Sequence, residues 1–195
     1  MTTQQFILKS EKETADLAVQ IARNIKPGDI LTFSGDLGSG KTFLCREIIK
    51  ELCGHDTKVI SPTFNLLQIY ERKDAMLSLR EMRSVTRQSD DSLDPHVGLR
   101  PPQDDELEPR PAQDDDLKLR LTQDEGREKF EIYHFDLYRL KTIDEIYELG
   151  IEEAFAGHVC LIEWPEIISN ILPKDTISIE ISIVNETTRL VVEST

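Results

Sequence analysis

The sequence is short of positive charge, of long apolar runs and of cysteine, and each shortage removes a class of function. Lys and Arg number 23 against 37 Asp and Glu, a formal net charge of −14. Holding a nucleic-acid backbone needs clustered basic side chains to neutralise phosphates, so no direct, tight nucleic-acid binding is expected and any role on RNA would run through a partner. No apolar run approaches the ~20 residues that span a bilayer, and the stretch from Met1 to Gln5 has no charged-then-apolar character, so no membrane association and a cytoplasmic location are expected. The three cysteines, Cys45, Cys53 and Cys160, form no C-x-x-C pair. An odd count without that spacing speaks against a disulfide framework or a structural zinc site and suits reduced thiols. The guanine-reading string Asn-Lys-x-Asp is absent as well, which speaks against a GTPase. A chain of 195 residues is long enough to bury one good core, and a single domain over 1–195 is the simplest organisation.

What is present is sharper. Gly35-Asp36-Leu37-Gly38-Ser39-Gly40-Lys41-Thr42 reads G-x-x-x-x-G-K-T, between an apolar strand, Ile30 to Phe33, and a helix expected from Phe43 to about Cys53. Glycines let the loop turn its N–H groups inward, and the helix N-terminus behind them adds partial positive charge where phosphate oxygens would lie. In that setting Lys41 reaches the β- and γ-phosphates and the Thr42 hydroxyl ligates Mg²⁺, so Asp36 to Phe43 are the expected nucleotide-binding residues, with ATP and Mg²⁺ the expected ligands.

From Lys73 to Lys129 the composition changes to Asp, Glu, Arg, Pro and Gln, with a ten-residue echo at Gln103-Asp104-Asp105-Glu106-Leu107, Gln113-Asp114-Asp115-Asp116-Leu117 and Gln123-Asp124-Glu125. The repeat has too little apolar content for a stacked core, and it reads as a disordered or loosely ordered insertion; an acidic docking segment is the functional alternative. Its flanks, Phe64 to Tyr70 and Phe130 to Phe135, are strand-like and would form a hairpin if joined by a short turn.

Elsewhere strands and helices alternate. Ser10-Glu11-Lys12-Glu13 is a capping box ahead of Leu17, Ala18, Ile21, Ala22 and Ile25 on one helix face, stopped by Pro27-Gly28. Thr142-Ile143-Asp144-Glu145 is a second, with Gly150 as its stop. Val159 to Ile162 is the continuous apolar run of a buried parallel strand, and Ile177, Ile179, Ile181 and Ile183 alternate with polar residues before a turn and a return through Leu190-Val191-Val192, a hairpin expected to close the sheet. The fold class is α/β: a three-layer P-loop NTPase fold with a mostly parallel central sheet and antiparallel additions.

A phosphate loop needs a carboxylate near its metal, and in open α/β sheets such groups leave the carboxyl ends of strands. Glu163 follows four apolar residues and is the expected Mg²⁺ ligand with Thr42. Asp136, within His134-Phe135-Asp136-Leu137-Tyr138-Arg139, is the second candidate, although His134 and Tyr138 there could equally cover a sheet edge. Ser61-Pro62-Thr63-Phe64 offers hydroxyls that could sense a γ-phosphate.

Taken in order, the loop at 35–42, Ser61-Pro62-Thr63-Phe64, His134-Phe135-Asp136-Leu137-Tyr138-Arg139, Glu148-Leu149-Gly150 and Leu161-Ile162-Glu163-Trp164-Pro165-Glu166 closely resemble the TsaE family of bacterial threonylcarbamoyladenosine biosynthesis ATPases. The resemblance covers the chain outside the insertion. It implies an ATPase that works with TsaB- and TsaD-like proteins to place threonylcarbamoyl on adenosine of tRNAs reading codons that begin with A. It further implies that Lys41 is the phosphate lysine, Thr42 and Glu163 the Mg²⁺ ligands, 61–64 a switch-like loop with Thr63 at the nucleotide, and Asp136 a catalytic or metal-water carboxylate. Trp164 would help position nucleotide or partner, with Glu11 and Arg189 near the base. Two other classes remain open on the residues alone: a nucleotide-binding assembly switch without catalysis, and a small-molecule kinase.

Overall fold

The structure is a computed structural model and describes residues 2–72 and 130–194. The insertion expected at 73–129 lies outside the described residues. Seven strands, β1 (Thr3–Leu8), β2 (Ile30–Ser34), β3 (Leu67–Glu71), β4 (Glu131–Asp136), β5 (Val159–Glu163), β6 (Ile177–Ile183) and β7 (Arg189–Ser194), form one sheet in the order β1-β7-β6-β2-β5-β4-β3. The central four, β6, β2, β5 and β4, run parallel. At one flank β7 and β1 are added antiparallel, and at the other β3 pairs antiparallel with β4. This is the mixed α/β class expected.

Alternation along each strand builds the layers, because successive side chains leave a strand on opposite faces. Leu31, Phe33, Ile132, Leu161, Ile179 and Ile181 pack on the face covered by helices α1 (Glu11–Asn24) and α2 (Lys41–Cys53). Ile30, Tyr133, Phe135, Cys160 and Ile162 pack on the other, beneath two short helices, α3 (Asp144–Glu148) and α4 (Ile151–Phe155), and a single 3₁₀ turn, Pro165–Ile168. Helix α1 begins where its capping box predicts: Ser10 Oγ accepts from the Glu13 amide at 3.2 Å, and Glu13 Oε2 accepts from the Lys9 amide at 2.7 Å. Leu17, Ala18, Ile21 and Ala22 form its buried stripe.

Two expectations change, one is kept and extended, and one alternative drops out. The strand expected from Phe64 starts only at Leu67, because Pro62 opens a turn closed by the Leu66 amide on the Pro62 carbonyl, with Leu66 at φ +66°. Gly150 stops α3 as expected, and the chain restarts at once as α4. The β6–β7 hairpin does not close the sheet; β1 lies outside it, paired to β7 along its whole length. That strand is missing from the sequence reading because Thr3, Gln4 and Gln5 are polar and exposed, as an edge permits. Finally, β4 is not an edge: β5 and β3 flank it, and His134 is wholly buried.

Candidate nucleotide site

Strand β2 ends at Ser34, and the loop that follows turns back to start α2 at Lys41, with Gly40 as N-cap. Gly35 makes the first bend at φ +127°, so close to the β6 backbone that an added Cβ would stand 2.1 Å from the Ile181 carbonyl oxygen. No other residue fits there. Lys41 is 4% exposed, and its ammonium donates to the carbonyls of Gly35 at 2.7 Å and Asp36 at 2.9 Å. It also lies 3.7 Å from the centroid of the Trp164 ring. Burial lowers the Lys41 pKa from its ordinary value, and the charges of Glu163, Glu166, Asp136 and Asp36 pull the other way.

The two carboxylates arrive from neighbouring strands. In the parallel register of β4 on β5, Asp136 stands opposite Glu163, and both side chains leave on the α2 face. The Thr42 hydroxyl donates to Glu163 Oε2 at 2.7 Å, while His134 Nε2 meets Oε1 at 2.9 Å. Asp136 accepts from Thr63 Oγ1 at 2.6 Å on one oxygen and from the Tyr138 amide at 3.1 Å on the other. Thr63 Oγ1 in turn lies 2.8 Å from Ser61 Oγ, so the loop at 61–64 is tied to the end of β4. Trp164 follows Glu163 in the left-handed region, φ +58°, which lays its ring between Lys41 and Tyr138, the latter at 4.8 Å between centroids.

These residues line a cleft of about 240 Å³ that includes Lys41, Thr42, Thr63, Asp136, Glu163 and Trp164. A second cleft, of about 380 Å³, opens on the far side of the loop and holds Glu11, Phe43, Ser39, Ile181, Glu186 and Arg189 on its walls. Gly38, Gly40 and Phe43 border both, and Leu37 lines the first at 73% exposure. Asp36 contributes its carbonyl to Lys41. Arg189 Nε donates to the Ser39 carbonyl at 3.1 Å, bracing the loop against β7.

The donor chemistry fits a nucleotide with a hard divalent cation. Ser39 Oγ is buried within the loop and has no hydrogen-bond partner, and Thr42 with Glu163 offers the oxygen ligands such a cation prefers. Cys45, one turn into α2, brings its donor atom within 4.8 Å of those of His134 and Glu163. Burial, then the charges of Glu163 and Asp136, hold that thiol protonated well above the usual range. His134 is a site residue that no motif assigns a role; the alternation His134-x-Asp136, placing both on the face of Glu163, is the signal that marks it.

The family model described as threonylcarbamoyl adenosine biosynthesis protein TsaE matches residues 8–81 and 120–191, and so passes over 82–119. Among curated proteins, the tRNA threonylcarbamoyladenosine biosynthesis protein TsaE of Rickettsia felis is 39% identical over 185 residues, 95% of this chain and 76% of the relative. That of Rickettsia bellii is 39% identical over 190 residues, 97% of this chain and 94% of the relative. Among solved structures, that of Bacillus subtilis YdiB superposes with a TM-score of 0.56 at 21% identity, covering 98% of this chain and 84% of that one. Among the described residues no helix is long and apolar enough to cross a membrane.

Proposed function

The chain belongs to the TsaE family, whose role is in tRNA threonylcarbamoyladenosine biosynthesis, and from that membership we propose that it binds and hydrolyses ATP with Mg²⁺ in support of TsaB- and TsaD-like partners. The observation that carries the reading is the pairing of Asp136 with Glu163 at adjacent strand ends, each held by a hydroxyl from a segment that lines the same cleft: Thr63 on the first, Thr42 on the second.

Lys41 is the group that meets the phosphates. Its ammonium now rests on two loop carbonyls, neutral acceptors that a phosphate oxygen outcompetes through charge. Thr42 and Glu163 would hold Mg²⁺, which when bound neutralises charge on the β- and γ-phosphate oxygens. Asp136 has both oxygens engaged, so its carboxylate is fixed in direction, and it orients the attacking water. The Thr63–Asp136 hydrogen bond ties the loop at 61–64 to that carboxylate, which would let the loop register whether a γ-phosphate is present. Phe43, Glu11 and Arg189 line the second cleft and would hold the base. With a net charge of −14 the protein contributes nucleotide turnover rather than a tRNA grip, and modification of adenosine in tRNAs reading codons that begin with A is carried out on its partners.

Single-turnover ATP hydrolysis and modified-tRNA yield, with and without TsaB and TsaD proteins, test this. Lys41→Ala is expected to lose tight ATP binding, whereas Glu163→Ala and Asp136→Ala keep most of it and lose hydrolysis by roughly 100-fold. Wild-type rates in the Glu163 or Asp136 variant, or multiple-turnover modification that proceeds equally without this protein, would overturn the assignment.

A further inference from the structure

We propose that His134 is a positioning residue for the divalent cation, holding the Glu163 carboxylate from behind so that its other oxygen faces the cleft. The proposal rests on the reading of Thr42 and Glu163 as the Mg²⁺ ligands. Glu163 is 1% exposed, and a carboxylate so buried stays ionised only when its oxygens are hydrogen-bonded or paired. It has two side-chain partners, Thr42 on Oε2 and His134 on Oε1. Thr42 can ligate the ion through a hydroxyl lone pair while its proton stays on Oε2, so it holds that oxygen only, and Oε1 is left to another group. His134 is the anchor that remains.

The fold supports that role in three ways. His134 is fully buried on β4, an inner strand hydrogen-bonded on both sides, so the ring's base is fixed by β3 and β5. It alternates with Asp136, which puts the ring on the α2 face two residue pairs below the level where Asp136 meets Glu163. Its Nδ1 is buried without a hydrogen-bond partner. A proton on Nδ1 would be an orphaned buried donor, so the proton belongs on Nε2 and is donated to Glu163 Oε1. Donating there, the ring fixes the direction of the carboxylate from the side away from Thr42. Outer partners of metal ligands typically act in this way, and losing one lowers metal affinity 10- to 100-fold as an order of magnitude, roughly.

Mn²⁺ stands in for Mg²⁺ in the test, with the free-ion paramagnetic resonance signal reporting binding to the full-length protein saturated with ADP. His134→Phe keeps an aromatic ring but removes the donor, and is expected to weaken Mn²⁺ binding about 10-fold while leaving ADP affinity in chelator within about 2-fold. His134→Gln carries an amide N–H at the corresponding reach and is expected to recover affinity toward the wild-type value. If His134→Phe binds Mn²⁺ as wild type does while Glu163→Gln does not, the positioning role fails and the cation site stands. If Glu163→Gln also binds Mn²⁺ like wild type, the site reading itself fails. Parallel loss of ADP and Mn²⁺ affinity in both His134→Phe and the smaller His134→Leu would mark the ring as packing alone and overturn the proposal.

Discussion

A methyl group at Gly35 collides with the Ile181 carbonyl oxygen at 2.1 Å, whereas one at Gly38, φ +78°, meets nothing within 4 Å. The two glycines therefore serve different ends: Gly35 permits close approach of the loop to β6, and Gly38 only a left-handed turn. Gly35→Ala is expected to destabilise the protein by about 3 kcal/mol or more, and Gly38→Ala by about 1–2 kcal/mol, as read from urea midpoints. Equal losses would show that the approach to β6 is not what the position requires. Residues whose type is dictated by the backbone or by phosphate, from Gly35 to Thr42, were legible in the sequence for that reason. The His134–Glu163 contact was not, because it exists only once β5 is known to lie beside β4 in the register that opposes Asp136 to Glu163. Nor does anything in the residue type announce that Trp164 takes the left-handed region.

Strand β5, a five-residue run buried throughout, and the isoleucine alternation of β6 follow directly from hydrophobic pattern, as does α1 from its cap and stripe. Strand β1 escaped because an edge strand can be polar, and the α3–α4 break escaped because Gly150 is equally a stop and a start. The β3–β4 hairpin was legible from its flanks, and its register now gives the expectation a geometry. Glu71 pairs with Glu131, and Arg72 lies 4.9 Å above the Phe130 ring, so the two strands are still adjacent where residues 73–129 begin and end. Replacing 73–129 by Asn-Gly would join Arg72 to Phe130 through a two-residue turn of the kind hairpins favour. The excised protein is expected to bind ATP as before. It should gain about 3 kcal/mol in urea unfolding, since a long connection costs more closure entropy than a short one. Lower stability or lost binding would place 73–129 among the segments that build the fold.

At the scale of the molecule, the three cysteines are all buried, which fits their reading as reduced thiols. Burial pushes the Cys160 pKa up to about 12 and that of Cys45 in the same direction, the latter helped by Glu163 and Asp136. For a group whose folded pKa is raised, the stabilisation is complete below the unfolded value, about 8.5 for a thiol, and is lost as pH climbs through the folded value. Stability is therefore expected to fall from about pH 9 upward, and a thiol reagent at pH 8 should leave the native protein unmodified yet label all the cysteines in denaturant. Rapid labelling of native Cys45 or Cys160 would contradict their burial.

The outermost pairing, β1 on β7, brings Thr3 opposite Ser194. The two ends of the described chain are thus about 5 Å apart at the same sheet edge, and at the opposite edge Glu71 and Glu131 are also paired neighbours. The described backbone therefore comes close to itself at both edges of the sheet. With 73–129 excised it admits circular permutation: a short peptide joins Ser194 to Thr3, and the new termini fall at Arg72 and Phe130, leaving strand neighbours, phosphate loop and both carboxylates where they are.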